Sequence, residues 1–453
     1  MANADVPAAA PSPLSSSGRM LVLVCAFLGW LFAGVMLGTT QQIAKPAAAD
    51  LLENTGALSE SKFQESQTDT AESGDGEKSP MEAWREGLIG QWFAWYQCAF
   101  LFGAAAGGLA FGRLGDRIGR TKAMAASILT YSGVAGLAYF VQTPGQLLVM
   151  WFLACTGIGG MWPNGVALVS EAWAGLSRPV VAGLIGTAAN IGIFLISFIA
   201  SKKAVVPDDW RWVLLIDAGP LVLGIFSLIA VPESPRWLAE RDRAQEPTAQ
   251  PQSTWEVFRP PLLQVTLVGI LLATIPLLGG WGSANWMIPW ADQADPTNPF
   301  LKAEVGKYRS FTGVIGSLIG GWVASIVGRK RTYFLNSLIC LLIAQWTFRA
   351  VVPTDASFLY WVAGLGFFSG LYFGWLPLCL PELFQTRVRS TGAGVSFNFG
   401  RILTAVTIFV SGALMTYFEG DFAAIGRLTS WVFALGMVAI LFAPDTTHSS
   451  LDD

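Results

Sequence analysis

Two charged residues stand inside long apolar stretches of this sequence. Arg401 lies about ten residues into one stretch, which is roughly 15 Å of helix, and Asp217 is shallower in another. A charge in lipid is costly, so each needs a cavity or a partner. Arg401 would bind a substrate carboxylate, or form an ion pair or carbonyl clamp within the second half of the chain. Asp217 would carry a proton or cation, or pair with Lys202, Lys203 or Arg211.

The residue types that catalytic and metal sites use are scarce. The single histidine, His448, stands in the polar C-terminal tail, and all five cysteines stand in apolar stretches. Neither a disulfide framework nor a zinc site is indicated, and a buried cysteine packs as a small apolar residue. No phosphate-cradling loop with a lysine follows a strand. We therefore expect no enzyme, no cofactor and no bound metal.

Composition indicates a protein whose surface mostly faces lipid. The chain has 453 residues, of which 53% are hydrophobic and only 13% charged, with a net charge of −3. Soluble domains carry about 25% charged residues. The bilayer is therefore an expected partner, and nucleic acid is not, because the charge offers no basic field.

Twelve apolar stretches are long enough to cross a membrane as helices. The 49 glycines suit close packing of such helices. The sequence predicts an all-α membrane protein with spans at 20–43, 88–111, 122–142, 146–169, 180–200, 212–231, 261–290, 306–327, 332–351, 357–380, 391–416 and 425–443.

Lys and Arg in the short loops predict the orientation. Most follow the even-numbered spans, whereas the short loops of the other side hold only Lys202, Lys203, Arg211, Lys302 and Arg427. Both termini are then cytoplasmic, with the chain in the plasma (inner) membrane. The predicted parts are a disordered lead at 1–19, a six-helix bundle at 20–231 containing a long extracytoplasmic loop at 44–87, a linker at 232–260, a second six-helix bundle at 261–443 and a tail at 444–453.

An internal repeat supports this division into halves. GRLGDRIGR begins at Gly112, and GWVASIVGR begins 209 positions later at Gly321. The spacing of Glu171 to Arg178 recurs from Glu382 to Arg389, at an offset of 211. Matches at nearly one offset and at the same topological place predict a duplicated unit, a common plan of transporters with a site between the halves.

Three motifs carry a more specific resemblance. GRLGDRIGRT resembles the signature between helices 2 and 3 of the major facilitator superfamily. PESPRWL (232–238) and PELFQTRVRSTG (381–392) are similar to elements after helices 6 and 10 in its sugar-porter and organic-ion branches. The resemblance covers about residues 20–446. It implies two pseudo-symmetric bundles that move a small solute by alternating access, as a secondary active or facilitative transporter.

The resemblance also implies a gating network of charges at the cytoplasmic edge. Ser325 stands where the second half would repeat the aspartate, so that latch would depend on Arg329, Glu382 and Arg389. The alternative is a role in topology and folding alone. The expected gating residues are Asp116, Arg117, Arg120, Glu171, Arg178, Arg329, Glu382 and Arg389.

Polar and aromatic residues of the helices that usually line the cavity are the candidate substrate contacts, although aromatics also serve packing and the membrane interface. Pro163, beside two of them, would free backbone groups. The candidates are Arg401, Asn398, Trp162, Asn164, Asn190, Asn285, Trp286, Tyr372 and Trp375, with Asp217 as the coupling candidate.

The expected substrate is a small organic anion such as a carboxylate. Arg401 favours it, and GIGGMWPNG (157–165) looks like helix 4 of carboxylate and aromatic-acid carriers. A sugar or polyol carrier, a drug or metabolite exporter and a non-transporting membrane sensor are the alternatives. The first span lacks the acid that related proton symporters often carry, so a proton or sodium ion would couple elsewhere or not at all. A monomer is expected.

Overall fold

The fold consists of twelve long helices, which we number α1 to α12. The computed structural model describes residues 14–67, 79–173, 178–243, 254–384, 389–413, 417–418 and 420–446. The helices are α1 Ser16–Asn54, α2 Pro80–Ile118, α3 Arg120–Leu137, α4 Pro144–Ala172, α5 Arg178–Ala200, α6 Trp212–Ala218 with Leu221–Ala230, α7 Leu262–Leu277 with Met287–Ala294, α8 Leu301–Val327, α9 Arg329–Ala350, α10 Phe358–Glu382, α11 Arg389–Ala413, and α12 Phe422–Thr429 with Val432–Ala439.

Ten helical segments of the described chain are long and apolar enough to cross a membrane. Of the remaining two helices, α5 contains the shorter apolar stretch Gly186–Ala200, and α9 begins with three basic residues. The described residues form no named strand and only one isolated bridge, between Val206 and Asp209. The predicted all-α, twelve-helix fold is therefore confirmed.

The prediction of a loop over residues 44–87 is wrong at both ends. α1 continues to Asn54 and α2 begins at Pro80, with the short helix Glu60–Gln67 between them. Lys45, Pro46 and Asp50 all lie beyond the end of the predicted first span. The helix continues because Asp50 accepts hydrogen bonds from the side chains of the α5–α6 loop, at 2.8 and 2.9 Å, instead of facing water.

Other predicted boundaries also shift. α1 begins inside the expected disordered lead, because the hydroxyl of Ser15 caps its N-terminus by accepting from the backbone of Gly18 at 3.1 Å. The expected linker 232–260 contains the helix Pro235–Arg243, and its residues 244–253 lie outside the described chain. The seventh span is interrupted by a π-helical segment, Leu278–Ser283, whose three glycines weaken the α-helix.

Equivalent helices pack in the same way in the two halves. α2 packs against α4 and α1 against α5, as α8 packs against α10 and α7 against α11. The turn after α2 and the turn after α8 each contain a glycine with positive φ, Gly119 at 106° and Gly328 at 98°. Side chains rarely adopt such angles, so glycine is required at both turns. The repeat seen in the sequence is thus a repeat of structure.

Two helix pairs make most of the contact between the halves in the described chain: α2 packs against α11, and α5 packs against α8. The internal repeat relates these two pairs to each other: α8 is the equivalent of α2 and α11 is the equivalent of α5, so the α2–α11 contact corresponds to the α8–α5 contact. Residues on their facing surfaces are therefore the ones positioned between the two bundles.

Candidate functional site

Arg401 of α11 lies at the contact between the two bundles. The residue is buried, with 6% of its surface exposed. Its Nη1 donates to the backbone oxygen of Ala104 in α2 and to Oδ1 of Asn398, both at 3.3 Å. Asn398 is oriented by its own Nδ2, which donates to the backbone oxygen of Gly394 at 3.0 Å. The amide oxygen of Asn398 is thereby turned towards the guanidinium.

An aromatic row leads to this guanidinium from the other bundle. Trp30 of α1 and Trp162 of α4 have ring centroids 5.0 Å apart. Trp162 in turn stacks on Phe397 of α11, at 6.4 Å and 27°. The guanidinium of Arg401 lies 4.7 Å from the Phe397 ring, in the range of a cation–π contact. The row therefore runs from α1 across the bundle contact and ends at a positive charge.

The described residues give Arg401 neutral partners only. Within the described chain no carboxylate forms an ion pair with it, and its two acceptors there are carbonyl oxygens at the long end of hydrogen-bond distances. The predicted carbonyl clamp is thus present in a different form, because Ala104 belongs to the first half rather than the second. A guanidinium with this little compensation retains the capacity to bind an anion bidentately.

The second contact between the bundles contains Asn190. Its Nδ2 in α5 donates to Oγ of Ser317 in α8 at 3.2 Å. Gly313 stands one turn away, and a Cβ placed on it would be 3.6 Å from the Asn190 side-chain oxygen. Asn190, one of the predicted substrate contacts, therefore lies between the bundles at the α5–α8 contact, where its partner is Ser317.

The other predicted substrate contacts lie inside single bundles or near the predicted extracytoplasmic end. Asn164 is buried between α2 and α4 and donates to the backbone oxygens of Phe111 and Gly160 at 3.0 and 2.9 Å. Trp286 lies between Phe93 and Phe422, with ring centroids at 5.4 and 5.9 Å.

The two aromatic candidates of α10 face the interior of the second bundle. The hydroxyls of Tyr372 and Ser337 are 2.6 Å apart, and Nε1 of Trp375 donates to the backbone oxygen of Arg329 at 2.9 Å. Of the predicted substrate contacts, the structure brings Trp162, Asn398 and Arg401 together at the bundle contact. Tyr372 and Trp375 lie away from that group, inside the second bundle.

Arg309 is a partly buried charged residue that the sequence analysis did not select. It stands in the third turn of α8 and donates to the backbone oxygen of Gly280 at 3.4 Å and to Oδ1 of Asn285 at 3.2 Å. The side-chain oxygen of Asn285, a predicted substrate contact, therefore already accepts a hydrogen bond from Arg309. Arg309 was not selected because the predicted span begins at residue 306, which would place Arg309 at the edge of the helix. α8 begins at Leu301, so Arg309 lies inside the helix.

Asp217 of α6 is buried inside the first bundle. Its Oδ1 accepts from the hydroxyl of Thr39 in α1 at 3.1 Å, and its Oδ2 has no hydrogen-bond partner in the described chain. Tyr131 of α3 and Cys155 of α4 lie within electrostatic range of the carboxyl. This acid therefore has a single polar contact and no basic partner among the described residues.

The predicted pairing of Asp217 with nearby basic residues is wrong. Lys203 pairs with Asp209 at 3.1 Å, and Arg211 pairs with Asp50 at 2.9 Å. Lys202 lies 5.7 Å from the ring of Phe198. These three residues belong to the α5–α6 loop, whereas Asp217 points into the bundle towards α1.

The charged residues after α2 form a compact network in the first half. Arg120 pairs with Asp116 at 2.6 Å, while Arg117 is exposed. Glu233 accepts from the backbone of Thr121 at 3.1 and 3.2 Å and so caps the start of α3.

The PESPRWL element links this turn to α4. The hydroxyl of Ser234 donates to Glu171 over a short contact, and Nε1 of Trp237 donates to the backbone oxygen of Asp116 at 2.9 Å. The side chain of the predicted gating residue Arg178 lies outside the described residues. The network joins α2, α3, α4 and the short helix Pro235–Arg243.

The second half holds a direct ion pair at the equivalent place. Arg329 donates from Nε and Nη2 to the two oxygens of Glu382, at 3.2 and 3.1 Å. Ser325, which replaces the aspartate, donates only to its own helix at Gly321. Arg329 is thus available to Glu382, as expected for this half, and the side chain of Arg389 lies outside the described residues.

Two matching helical bundles, a buried polar site at their contact and charged networks at one end define a membrane transporter. A family model described as the Major Facilitator Superfamily matches residues 19–408. The inner membrane metabolite transport protein YhjE of Escherichia coli (strain K12) is 26% identical over 372 residues, which is 76% of this chain and 82% of that protein.

Two further comparisons agree with the family match. The cis,cis-muconate transport protein of Acinetobacter baylyi is 25% identical over 364 residues, covering 77% of this chain and 84% of that protein. A crystal structure of a double tryptophan mutant of XylE has the same fold, with a TM-score of 0.59 at 16% identity, over 96% of this chain and 98% of that one. The chain belongs to the Major Facilitator Superfamily and is a multi-pass membrane transporter of small metabolites.

Proposed function

We propose that this transporter carries a small organic anion with an apolar body and a carboxylate. The observation that carries the proposal is Arg401, a buried guanidinium at the bundle contact whose described partners are neutral oxygens. A substrate carboxylate that replaced these oxygens as the partner of Arg401 would form charge-assisted hydrogen bonds, which are about twice as strong as neutral ones.

The aromatic row supports the same class of substrate. Trp30, Trp162 and Phe397 form an apolar surface that ends at the guanidinium. An unsaturated or aromatic acid would lie along the rings and direct its carboxylate to Arg401. The relative from Acinetobacter baylyi is named as a cis,cis-muconate transport protein, so muconate is our first test compound.

The test is uptake by the purified protein in proteoliposomes, comparing labelled cis,cis-muconate, benzoate and glucose. Arg401→Met should reduce carboxylate uptake by about tenfold to a hundredfold, the loss expected for a charged hydrogen bond. Arg401→Lys should retain part of the activity, because it keeps the charge without the planar fork. Arg349→Met is the matched control, since Arg349 is exposed at the end of α9.

A sugar is the alternative substrate, favoured by the PESPRWL element and by unpartnered amides of Gln41, Gln42 and Gln97 in α1 and α2. Uptake of glucose in preference to both acids, with no effect of Arg401→Met, would reject the anion proposal in favour of this one.

We also propose the orientation in which both termini face the cytoplasm, with the protein in the inner membrane as a monomer. The distribution of Lys and Arg supports the orientation. A cysteine introduced at exposed Tyr360 should react with an impermeant maleimide added outside intact cells, whereas labelling only after lysis would reverse the orientation.

A further inference from the structure

A cluster of charged side chains joins the two bundles far from Arg401, at the end predicted to be extracytoplasmic. Lys45 of α1 lies 3.2 Å from Oδ2 of Asp292 in α7, and Lys302 of α8 lies 3.4 Å from Oδ1 of the same aspartate. The three side chains are 15%, 21% and 6% exposed, respectively. We call these three residues the lysine–aspartate cluster.

The cluster carries more positive than negative charge. Each oxygen of Asp292 serves one ammonium group, so one carboxylate balances two lysines. The Lys45 ammonium also lies 5.7 Å from the ring of Phe422, a weak additional contact. A simple latch between bundles needs one cation and one anion. A second lysine buried on the same carboxylate adds desolvation cost without closing another contact.

Two buried glutamines next to the cluster have unused hydrogen-bonding groups. Gln41 and Gln42 are 2% and 0% exposed, and neither side-chain amide has a hydrogen-bond partner in the described chain. Both lie beside Lys45, Asp292 and Lys302, at a closed contact between the bundles that has no room for a water molecule in this structure. Buried amides without partners are costly, so their presence beside excess positive charge indicates a ligand.

We propose that this cluster, with Gln41 and Gln42, is a second anion site, which receives the carboxylate of an organic acid at the extracytoplasmic entrance. Lys45 is the cluster member on the first bundle, whereas Asp292 and Lys302 both belong to the second. When the bundles separate at this end, Lys45 leaves Asp292 and its ammonium takes the substrate carboxylate in its place. This inference rests on the proposed function, because it assigns an entrance site to the same class of substrate.

The proposed entrance site would bind substrate only when it enters from the extracytoplasmic side. This asymmetry makes the proposal testable. Arg401 lies at the bundle contact and is expected to meet the substrate from either side. The lysine–aspartate cluster faces solvent only when the extracytoplasmic end opens. Loss of Lys45 should therefore weaken entry from outside and leave entry from the cytoplasmic side unchanged.

The experiment measures the KM for cis,cis-muconate in right-side-out and in inverted membrane vesicles. Lys45→Gln should raise the KM about tenfold or more in right-side-out vesicles only, whereas Lys45→Arg should stay near wild type. Asp292→Asn should lower that KM, because it frees both lysines. Lys203→Gln is the matched control, since Lys203 is an exposed lysine of the α5–α6 loop, paired with Asp209.

Equal changes of KM in both vesicle types, or an effect of Lys45→Gln on maximal rate alone, would mean that the cluster is only a latch and would overturn the inference. An increase of KM in Asp292→Asn would do the same. The two proposals fail in different ways. Full muconate transport by Arg401→Met would reject the central site, while a one-sided KM change in Lys45→Gln would still support the entrance site.

Discussion

Three ionisable residues inside the helices are held by different kinds of partner. Arg309 donates to oxygens of its own bundle, and Arg401 donates across the bundle contact to Ala104. Asp217 accepts one hydrogen bond from Thr39. A central charge costs about 2.5–3.5 kcal/mol on insertion scales. Two neutral oxygens compensate that cost to a similar extent for Arg309 and Arg401, so it is the place of Arg401 at the bundle contact that favours a ligand there. Asp217, with one hydrogen bond, keeps capacity for an ion.

We propose that Asp217 binds the coupling proton or cation, and we predict a selective effect of Asp217→Asn. An unpaired carboxylate buried among helices is costly and favours binding of a positive charge. The amide keeps an oxygen for the Thr39 hydroxyl but cannot be ionised. The variant should keep normal abundance and muconate counterflow, and it should lose accumulation driven by an imposed pH or sodium gradient.

The control for this prediction is Asp209→Asn, which removes an exposed acid of the adjacent loop. Gradient-driven accumulation that persists in Asp217→Asn would exclude Asp217 from coupling. Wild-type rates that respond to neither gradient would identify a uniporter or exchanger and lead to the same conclusion.

At the scale of helices and turns, the two charged networks at the predicted cytoplasmic end are equivalent in position but differ in how exposed their ion pairs are. The side chain of Asp116 is 63% exposed in its pair with Arg120. Arg329 and Glu382 are 15% and 9% exposed and form two parallel hydrogen bonds. Exposed pairs contribute about 0–1 kcal/mol to stability, whereas a hydrogen bond to a charged group that is partly shielded from water contributes about 1.5–3 kcal/mol.

We therefore predict that Asp116→Asn and Glu382→Gln separate function from stability. Asp116→Asn should impair muconate uptake while abundance and thermal stability in detergent stay near normal, because the gating role that we propose for Asp116 depends on its charge. Glu382→Gln should lower the free energy of unfolding by about 1–2 kcal/mol, since it replaces charge-assisted hydrogen bonds of Arg329 with neutral ones. Unchanged uptake by Asp116→Asn at normal abundance would contradict the gating role, and unchanged stability of Glu382→Gln would contradict the importance of the second pair.

The sequence predicts helices better than it predicts which way a helix residue faces. Twelve apolar stretches and the repeat were sufficient for the fold. The extension of α1 to Asn54 was missed because the partners of Asp50 come from a loop 160 residues away. Trp162 and Tyr372 looked alike in the sequence, yet one faces the bundle contact and the other Ser337. Side-chain direction depends on packing between helices, which local composition does not contain.

Arg401 was found because an isolated charge in an apolar stretch is a strong signal by itself. The lysine–aspartate cluster gave no such signal. Lys45, Asp292 and Lys302 each stand near the end of a predicted span, where a charged residue is ordinary. Only the folded chain brings α1, α7 and α8 together and makes these residues one buried group.

At the scale of the whole molecule, the two bundles meet in contacts that the internal repeat exchanges. α2 packs against α11 as α8 packs against α5. The aromatic row and Arg401 cross this boundary near the α2–α11 contact, and the lysine–aspartate cluster crosses it at the predicted extracytoplasmic end. Alternating access requires these contacts to separate and form again during each cycle.

A covalent link across α2 and α11 should therefore stop transport. The native Cys98 of α2 donates from Sγ to the backbone oxygen of Ala405 in α11 at 3.2 Å. In Ala405→Cys the two sulfurs should be close enough for a disulfide, given the short distances that such bonds span. We expect copper phenanthroline to abolish muconate uptake by Ala405→Cys and dithiothreitol to restore it. Ala405→Cys combined with Cys98→Ser should be insensitive to the oxidant. Cross-linked protein that still transports at the wild-type rate would show that α2 and α11 stay together at this level throughout the cycle, and that the bundles move by another route.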